Sequence, residues 1–253
     1  MKNTFIFIFC IYTICINSQS FTARYSMRCT MFEDGKINNE NTKKQFESIF
    51  ANNVKEILFD LVYKKNKFSF FHQNDGLSSN EMNTIDLSII KAKNLGLFYT
   101  DIENGVVKNE REDFGKYFIV EDSIKSIKWI ITNDEKNIGD FQCMKAIYNT
   151  TVTLNQDIGQ TTIKPKTVIA WFCPKLPYSA GPLGYTGLPG LIIELNDDLF
   201  VYTLKKITYT EDGNLTLPKK GRIISRKNYI SEYNKLFDTN EYENMPEELK
   251  VKK

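Results

Sequence analysis

The sequence predicts a mainly β protein: a curved antiparallel sheet, in the form of a half-barrel or bowl-like meander, with one or two helices that include a C-terminal helix. Short apolar or alternating segments recur roughly every 8 to 14 residues, with few helical patterns between them. Aromatic residues make up 13% of the 253 residues, with 18 Phe and 13 Tyr, and aromatic side chains favour strands. A hydrophobic content of 42% and a charged content of 25% fit a packed globular domain.

The N-terminus has the pattern of a secretory signal peptide. Lys2 precedes an apolar run over residues 4–16, and small or polar residues follow over 17–20. The run is too short for a stable bilayer anchor. We expect a signal peptide over residues 1–18, cut near Ser18 or Ser20, then a single domain over 19–253 with a frayed charged tail. An uncleaved anchor or a buried strand is the alternative. No later run approaches about 18 apolar residues, so we expect no transmembrane span after cleavage.

Apolar residues alternate with polar ones from Phe21 to Met31, which predicts a half-buried strand. Helical spacing predicts a helix over residues 43–57, and a second helix is expected over 224–238. Residues 132–136 are predicted to form a turn. The other predicted strands cover residues 58–63, 67–71, 97–100, 106–108, 117–121, 127–131, 141–154, 167–173, 191–195 and 199–204.

Charge and histidine content exclude several function classes. The net charge is +2, which argues against a dedicated nucleic-acid-binding protein. His72 is the only histidine, so a zinc site built on a pair of histidines cannot form. A Ser-His-Asp or Cys-His arrangement would need His72, which ends a predicted strand beside a surface turn. We expect no catalytic set, no metal site and no cofactor.

Three cysteines remain once the signal is removed: Cys29, Cys143 and Cys173. Export would place this odd number in an oxidising compartment. Cys29 falls on the apolar face of its strand and is interpreted as a small core residue. Folding of the long hairpin about residues 158–159 brings Cys143 within a few positions of Cys173. A cross-strand disulfide between these two is possible, and the strand register decides it.

Residues 181–192 contain four glycines and two prolines. The segment has no Gly-Lys-Ser/Thr or Gly-x-Gly-x-x-Gly pattern, and a strand follows it rather than a helix, so a phosphate-binding loop is not expected. Pro189-Gly190 instead suits a type II turn in which Gly190 supplies a positive φ. The residues expected to form this structural turn and the strand after it are Gly181, Pro182, Gly187, Leu188, Pro189, Gly190, Leu191 and Ile192.

Gly187-Leu188-Pro189-Gly190-Leu191-Ile192 resembles the signature of the GLPGLI family of exported Bacteroidetes proteins, whose activity is unassigned. Residues 117–129, 138–146 and 170–182 resemble other segments of that family in the family's order. The resemblance covers about residues 115–204. It implies export and a β-rich fold rather than a reaction, and members are sometimes encoded near TonB-dependent outer-membrane receptors. The hairpin between Ala146 and Ala170 is longer than the family's usual turn, and Cys173 replaces a common Thr or Ser.

The leading functional hypothesis is an exported, non-catalytic protein that binds a ligand or partner in the periplasm or at the outer membrane. The partner would be an outer-membrane receptor or an apolar ligand. Aromatic side chains on a curved sheet can line an apolar groove, and the alternative is that each of them belongs to the core. The candidate groove residues are Trp129, Trp171, Phe172, Tyr185 and Tyr202.

Two other hypotheses stay open. A hydrolase could use paired carboxylates, for example Glu121 with Glu194 or Asp197, because glycosidase chemistry needs two carboxyl groups roughly 5 to 9.5 Å apart across a cleft. A structural or accessory module for secretion or receptor assembly would instead present a flat, exposed apolar patch.

Overall fold

A computed structural model describes residues 20–29, 57–73, 95–113, 115–157, 160–198, 200–211 and 213–235. Twelve strands form one curved, unclosed sheet in the order β12-β6-β5-β4-β3-β2-β1-β11-β10-β9-β8-β7. The predicted mainly β class is confirmed. The helix predicted over residues 43–57 falls outside the described residues, except that residue 57 already belongs to a strand.

The strands are β1 (Ser20–Cys29), β2 (Ile57–Lys64), β3 (Lys67–His72), β4 (Leu97–Asp101), β5 (Val106–Asp113), β6 (Lys116–Ser123), β7 (Ile130–Ile138), β8 (Phe141–Asp157), β9 (Gln160–Cys173), β10 (Leu191–Asn196), β11 (Phe200–Thr210) and β12 (Arg222–Ser225). One α-helix, α1 (Arg226–Lys235), follows β12 within the described part of the chain.

The first strand holds the centre of the sheet, because β1 pairs antiparallel with β2 on one side and with β11 on the other. From β2 the chain runs outward as an antiparallel meander to β6, and β7 to β11 form a second meander that returns to β1. Asp157 lies opposite Gln160 in the β8–β9 pair, so the hairpin predicted about residues 158–159 is confirmed.

One strand pair departs from the predicted antiparallel sheet, because β12 pairs with β6 in parallel. A parallel neighbour needs a crossover connection. Here the chain leaves β11 and crosses the sheet. The Ser69 hydroxyl donates to the Thr216 carbonyl at 2.7 Å, and the backbone amide of Lys220 donates to Glu110 at 2.8 Å. This crossover covers Ser69, which is fully buried.

The core lies on one face, called here the inner face and defined by Phe21, Phe59 and Phe172. Alternation along each strand sends every second side chain to this face. Aromatic rings fill much of it: Phe59 stacks on Phe70 with centroids 5.0 Å apart, and Tyr202 meets Phe59 edge-on at 5.6 Å. The crossover between β11 and β12 lies on the opposite, outer face.

A smaller core closes the β6–β12 end of the sheet. Tyr229 of α1 packs edge-on against Phe118 at 5.6 Å, and its hydroxyl donates to Asp113 at 2.9 Å. The C-terminal helix is confirmed, but it begins at Arg226 rather than at residue 224. Ile224 and Ser225 pair with β6 instead, and the Ser225 hydroxyl caps the helix by accepting from the amide of Asn228 at 3.3 Å.

The turn predicted at residues 132–136 is wrong, because β7 continues through it to Ile138. The pairs Ile131–Ala146 and Glu135–Met144 enclose residues 132–134 on β7 but only Lys145 on β8. Such a bulge breaks the alternating pattern that identifies a strand in sequence. The strand predicted over residues 127–131 begins later than predicted. A 3₁₀ turn occupies Ile124–Ser126, and β7 starts only at Ile130.

Candidate functional site

The glycine-rich segment lies against the inner face of the sheet. Thr100 of β4 donates its hydroxyl to the Gly184 carbonyl at 3.4 Å. Gly184 has a φ of +78°, and a Cβ there would lie 2.7 Å from Val107 of β5. Only glycine combines this left-handed backbone with so close an approach. The segment is therefore an inner layer of the fold, and Pro182 and Leu188 are buried within it.

Gly190 is required for a different reason from the one predicted. The φ of Gly190 is not positive. A type II turn at Pro189-Gly190 requires a positive φ at Gly190, so the predicted turn type is wrong. A Cβ on Gly190 would instead lie 2.3 Å from the carbonyl oxygen of Cys173. The turn brings the chain back so tightly against the end of β9 that no side chain fits. Leu191 and Ile192 then enter β10 fully buried, as predicted.

Three aromatic rings gather where this segment meets the start of β7. The ring centroid of Trp129 lies 5.9 Å from that of Tyr148 and 5.8 Å from that of Tyr185, and the centroids of Tyr148 and Tyr185 are 6.5 Å apart. The indole Nε1 of Trp129 donates to the Thr186 carbonyl at 2.8 Å, and Gly187 lies beside the same indole. The rings pack directly on one another, so this cluster fixes the segment against the sheet.

A polar group adjoins the aromatic cluster. The hydroxyl of Tyr185 donates to Asp197 at 3.2 Å, and Lys166 forms an ion pair with the same carboxylate at 2.6 Å. Burial raises the pKa of Tyr185 well above its ordinary value, and the neighbouring Asp197 charge adds to the rise. The phenol therefore stays protonated and acts as a hydrogen-bond donor.

The outer face of β7 to β10 carries a second cluster, centred on Trp171. The Lys136 ammonium lies 4.3 Å from the centroid of this indole and the Lys145 ammonium 5.9 Å from it. Lys136 is paired with Glu194 at 2.8 Å and Lys145 with Asp134 at 2.9 Å. The β7 bulge places Asp134 beside Lys145. The result is a partly buried aromatic platform between two ion-paired cations.

An apolar row runs beside this platform. Ile130, Ile147 and Ile169 lie opposite one another on β7, β8 and β9. Directly paired residues share a face of the sheet. Lys145 lies two positions before Ile147 on β8, and Trp171 lies two positions after Ile169 on β9, so both are on the same face as the isoleucine row. Ile130 is 58% exposed at the edge of the sheet, and the other two isoleucines are partly buried. We call this row together with the Trp171 cluster the outer platform.

The five aromatic residues predicted to line a groove do not share one surface. Phe172 and Tyr202 are each 1% exposed and belong to the inner core. Trp129 and Tyr185 lie in the cluster that holds the glycine-rich segment. Trp171 points to the outer face, because adjacent residues of a strand alternate between faces.

Cys143 and Cys173 are both buried free thiols in this structure, and the disulfide that the sequence left open between them stays a prediction. The register nevertheless brings them together. Met144 lies opposite Phe172 at the end of the ladder, and the same register continued by one residue places Cys143 opposite Cys173. The side chain of Cys29 lies outside the described residues.

The carboxylates considered for hydrolysis are each engaged by a cation. Glu121 is paired with Lys108 at 2.7 Å, while Glu194 and Asp197 are held by the lysines named above. His72 packs edge-on against Phe59 at 5.4 Å at the end of β3.

Within the described ranges, no three His, Cys, Asp or Glu side chains are grouped so as to hold a metal ion. Among the helices of the same ranges, none has the length and apolar character needed to cross a membrane.

Sequence reasoning missed how residues far apart in the chain combine. Lys136, Lys145 and Glu194 belong to different strands, and their meeting at Trp171 depends on a register that includes two bulges. Tyr25 was also missed as a partner of the glycine-rich region. The position of Tyr25 on the apolar face of a strand could have indicated such a contact, because a buried tyrosine hydroxyl usually needs a hydrogen-bond acceptor.

Comparison with solved structures finds similar chains described as the structure of PNGF-II. The crystal form in a C2 space group has a TM-score of 0.46 and 11% identity, over 89% of this chain and 32% of that one. The form in a P21 space group has a TM-score of 0.47 and 14% identity, over 85% and 33%. This chain therefore spans about a third of the length of the PNGF-II chains. No curated protein matches the sequence.

A family model described as "Protein of unknown function (Porph_ging)" matches residues 129–194. The matched stretch begins at Trp129 of the aromatic cluster and ends at Glu194 of the outer platform. By sequence, this central region of the chain is similar to a family whose function is unassigned.

Proposed function

We propose that the chain is an exported, non-catalytic protein of the GLPGLI type that binds a protein partner in the periplasm or at the outer membrane. The observation that carries this proposal is the outer platform. It combines an indole, a row of isoleucines and paired charges on one sheet face, the composition of a protein interface with an apolar centre and a polar rim. An extended sheet face suits a protein surface better than a small molecule, which needs a concave site.

Two observations favour binding over catalysis. Glu121, Glu194 and Asp197 are each ion-paired, which favours structural ion pairs over paired-carboxylate hydrolysis. On the inner face, Phe172 and Tyr202 are packed into the core, so they support the fold rather than a substrate groove. An accessory role in secretion or receptor assembly is one form of the same partner-binding function. An outer-membrane receptor is the partner class that the family resemblance suggests.

The test uses two exposed isoleucines at opposite edges of the sheet. Ile130 on β7 is 58% exposed and belongs to the outer platform, whereas Ile223 on β12 is 60% exposed and does not. Ile130→Asp and Ile223→Asp therefore make the same chemical change at equal exposure. Each tagged variant and the wild type would be expressed in the native cells and recovered from the envelope fraction in mild detergent, and co-purified proteins would be quantified by mass spectrometry.

We expect one envelope protein to be retained by the wild type and by Ile223→Asp. Ile130→Asp should reduce its recovery by roughly tenfold or more, since burying an unpaired charge in an interface costs at least about 1.4 kcal/mol. Equal recovery with both variants, or no retained protein, would overturn the proposed partner surface. Absence of the chain from the envelope and periplasmic fractions would overturn export.

A further inference from the structure

We infer that Cys143 and Cys173 are a cross-strand thiol pair that closes to a disulfide and fixes the chain that leads into the glycine-rich segment to β8. The inference rests on the proposed export only for the compartment in which the bond would form. Met144 and Phe172 are the last pair of the β8–β9 ladder, and continuing that register by one residue places Cys143 opposite Cys173. Both cysteines are almost completely buried, at 0% and 1% exposure.

The backbone geometry identifies the type of pair. The Cys173 carbonyl accepts a hydrogen bond from the amide of Leu176 at 3.1 Å and lies against Gly190. It therefore points away from β8, toward the side of β9 on which β10 lies. Within an antiparallel ladder this makes Cys143 and Cys173 a non-hydrogen-bonded pair, whose Cα atoms are about 4.5 Å apart. That separation falls within the roughly 4.4–6.8 Å range of disulfide-bonded residues.

The position of Cys173 between β9 and the glycine-rich segment determines what the disulfide would hold in place. Cys173 is the last residue of β9, and the chain runs from it into the glycine-rich segment. Leu191, near the end of that segment, pairs with Cys173 on the other side of β9. A bond to Cys143 would therefore tie the chain entering the segment and the chain leaving it to the β8–β9 hairpin. It would also close a loop of about 30 residues, which restricts the unfolded chain.

The reaction needs an oxidant, for which a small disulfide such as oxidised glutathione suffices. One protein thiolate attacks a glutathione sulfur and displaces a glutathione thiolate. The second protein thiolate then attacks the mixed disulfide and releases the other glutathione. Two protein thiols lose two protons and two electrons, and the glutathione disulfide is reduced to two thiols.

The disulfide between Cys143 and Cys173 is expected to form while the chain folds rather than after folding is complete. Burial raises the pKa of the Cys143 thiol to about 11, and the neighbouring Cys173 adds to the rise. A thiol with this pKa carries over 100-fold less thiolate near neutral pH than a free cysteine with a pKa of about 8.5. Folded, reduced protein should therefore react slowly with oxidised glutathione, and protein refolding in its presence should react quickly.

The test is disulfide mapping of the full chain after refolding with oxidised glutathione. Free thiols are alkylated under denaturing conditions and peptides are identified by mass, so each cysteine is scored by position. Cys29→Ser is the matched control, and Cys143→Ala and Cys173→Ala preserve small apolar side chains at the buried positions. A linked peptide pair is expected in the wild type and in Cys29→Ser, together with a rise in Tm of roughly 5–10 °C over the reduced protein.

The inference is overturned if Cys143 and Cys173 are both fully alkylated after oxidation, or if either of them is linked to Cys10, Cys15 or Cys29 instead. Mapping of the wild type decides this even where a variant fails to fold. The outcome is independent of the partner experiment, because the bond is formed in vitro from purified protein. Failure of the wild type to retain any envelope protein, with the bond intact, would contradict the proposed function and leave this inference standing.

Discussion

The hydroxyl of Tyr25, on the central strand β1, donates a buried hydrogen bond of 2.7 Å to the backbone carbonyl of Ile192. The register of β10 against β9 shifts immediately after Ile192, so this carbonyl lies at a bulge. A buried carbonyl at a break in the ladder needs another donor. Tyr25 supplies it across 167 residues of chain. Burial also raises the pKa of Tyr25 far above its ordinary value, so the donor keeps its proton.

Tyr25→Phe should therefore destabilise the protein by about 1–3 kcal/mol, because it leaves a buried acceptor without its partner. The free energy of unfolding would be measured by urea denaturation. Tyr63→Phe is the matched control: its hydroxyl donates to the side chain of Asn66 at 2.8 Å at a partly buried position. A loss at Tyr25 no larger than that at Tyr63 would contradict the role assigned to the Ile192 carbonyl.

Gly190→Ala tests the close approach at the end of β9. The added methyl group would lie 2.3 Å from the Cys173 carbonyl, so the turn must move, and we expect a loss of roughly 2–4 kcal/mol. Gly139→Ala is the control. Gly139 has a φ of +56° and nothing within 4 Å of an added Cβ, so only backbone strain of about 1 kcal/mol is expected. If thermal melting shows equal losses for both variants, conformational strain rather than contact explains Gly190.

The sequence predicted the class of fold because period-two alternation is local, as in β1, where Phe21, Ala23 and Tyr25 are fully buried. It missed the continuation of β7 past residue 131, since a bulge breaks that period. It also missed β12, whose four residues pair with a strand about a hundred positions earlier. The glycine-rich segment was recognised as structural, but the need for glycine at position 190 arises from the distant Cys173 carbonyl. The outer platform depends on register between strands, which local patterns do not contain.

Trp129→Phe tests how the glycine-rich segment is held. The change removes the indole N–H that donates to the Thr186 carbonyl at 2.8 Å and reduces the contact with Tyr148 and Tyr185. A loss of about 1–3 kcal/mol is expected from the unpaired carbonyl and the smaller ring. Trp171→Phe makes the same change on the outer face. Urea denaturation should show a smaller loss for Trp171→Phe, and the reverse order would contradict the anchoring role of Trp129.

The pH dependence of stability should contain a contribution from Asp101 at the end of β4. Burial acts to raise the pKa of this carboxyl. Hydrogen bonds from Asn104, at 2.8 Å and 3.1 Å, and the ion pair with Lys67 at 3.0 Å outweigh that effect and hold the pKa below its ordinary value. A depressed folded pKa gives stability that is complete above about pH 5 and is lost as the pH falls through about 4 and then through the folded pKa.

Asp101→Asn removes the titrating group while it keeps a similar shape. The variant should be less stable than the wild type at pH 6. The difference should shrink as the pH is lowered to 3, because Asp101 of the unfolded wild type then takes up a proton that the folded state, with its lower pKa, binds less readily. Free energies of unfolding from urea titrations at the two pH values provide the measurement. Asp134→Asn is the control, since Asp134 is also ion-paired but its side chain is 58% exposed, where solvent weakens such pairs. A difference between wild type and Asp101→Asn that is constant from pH 6 to pH 3 would show that Asp101 contributes through packing rather than through its charge.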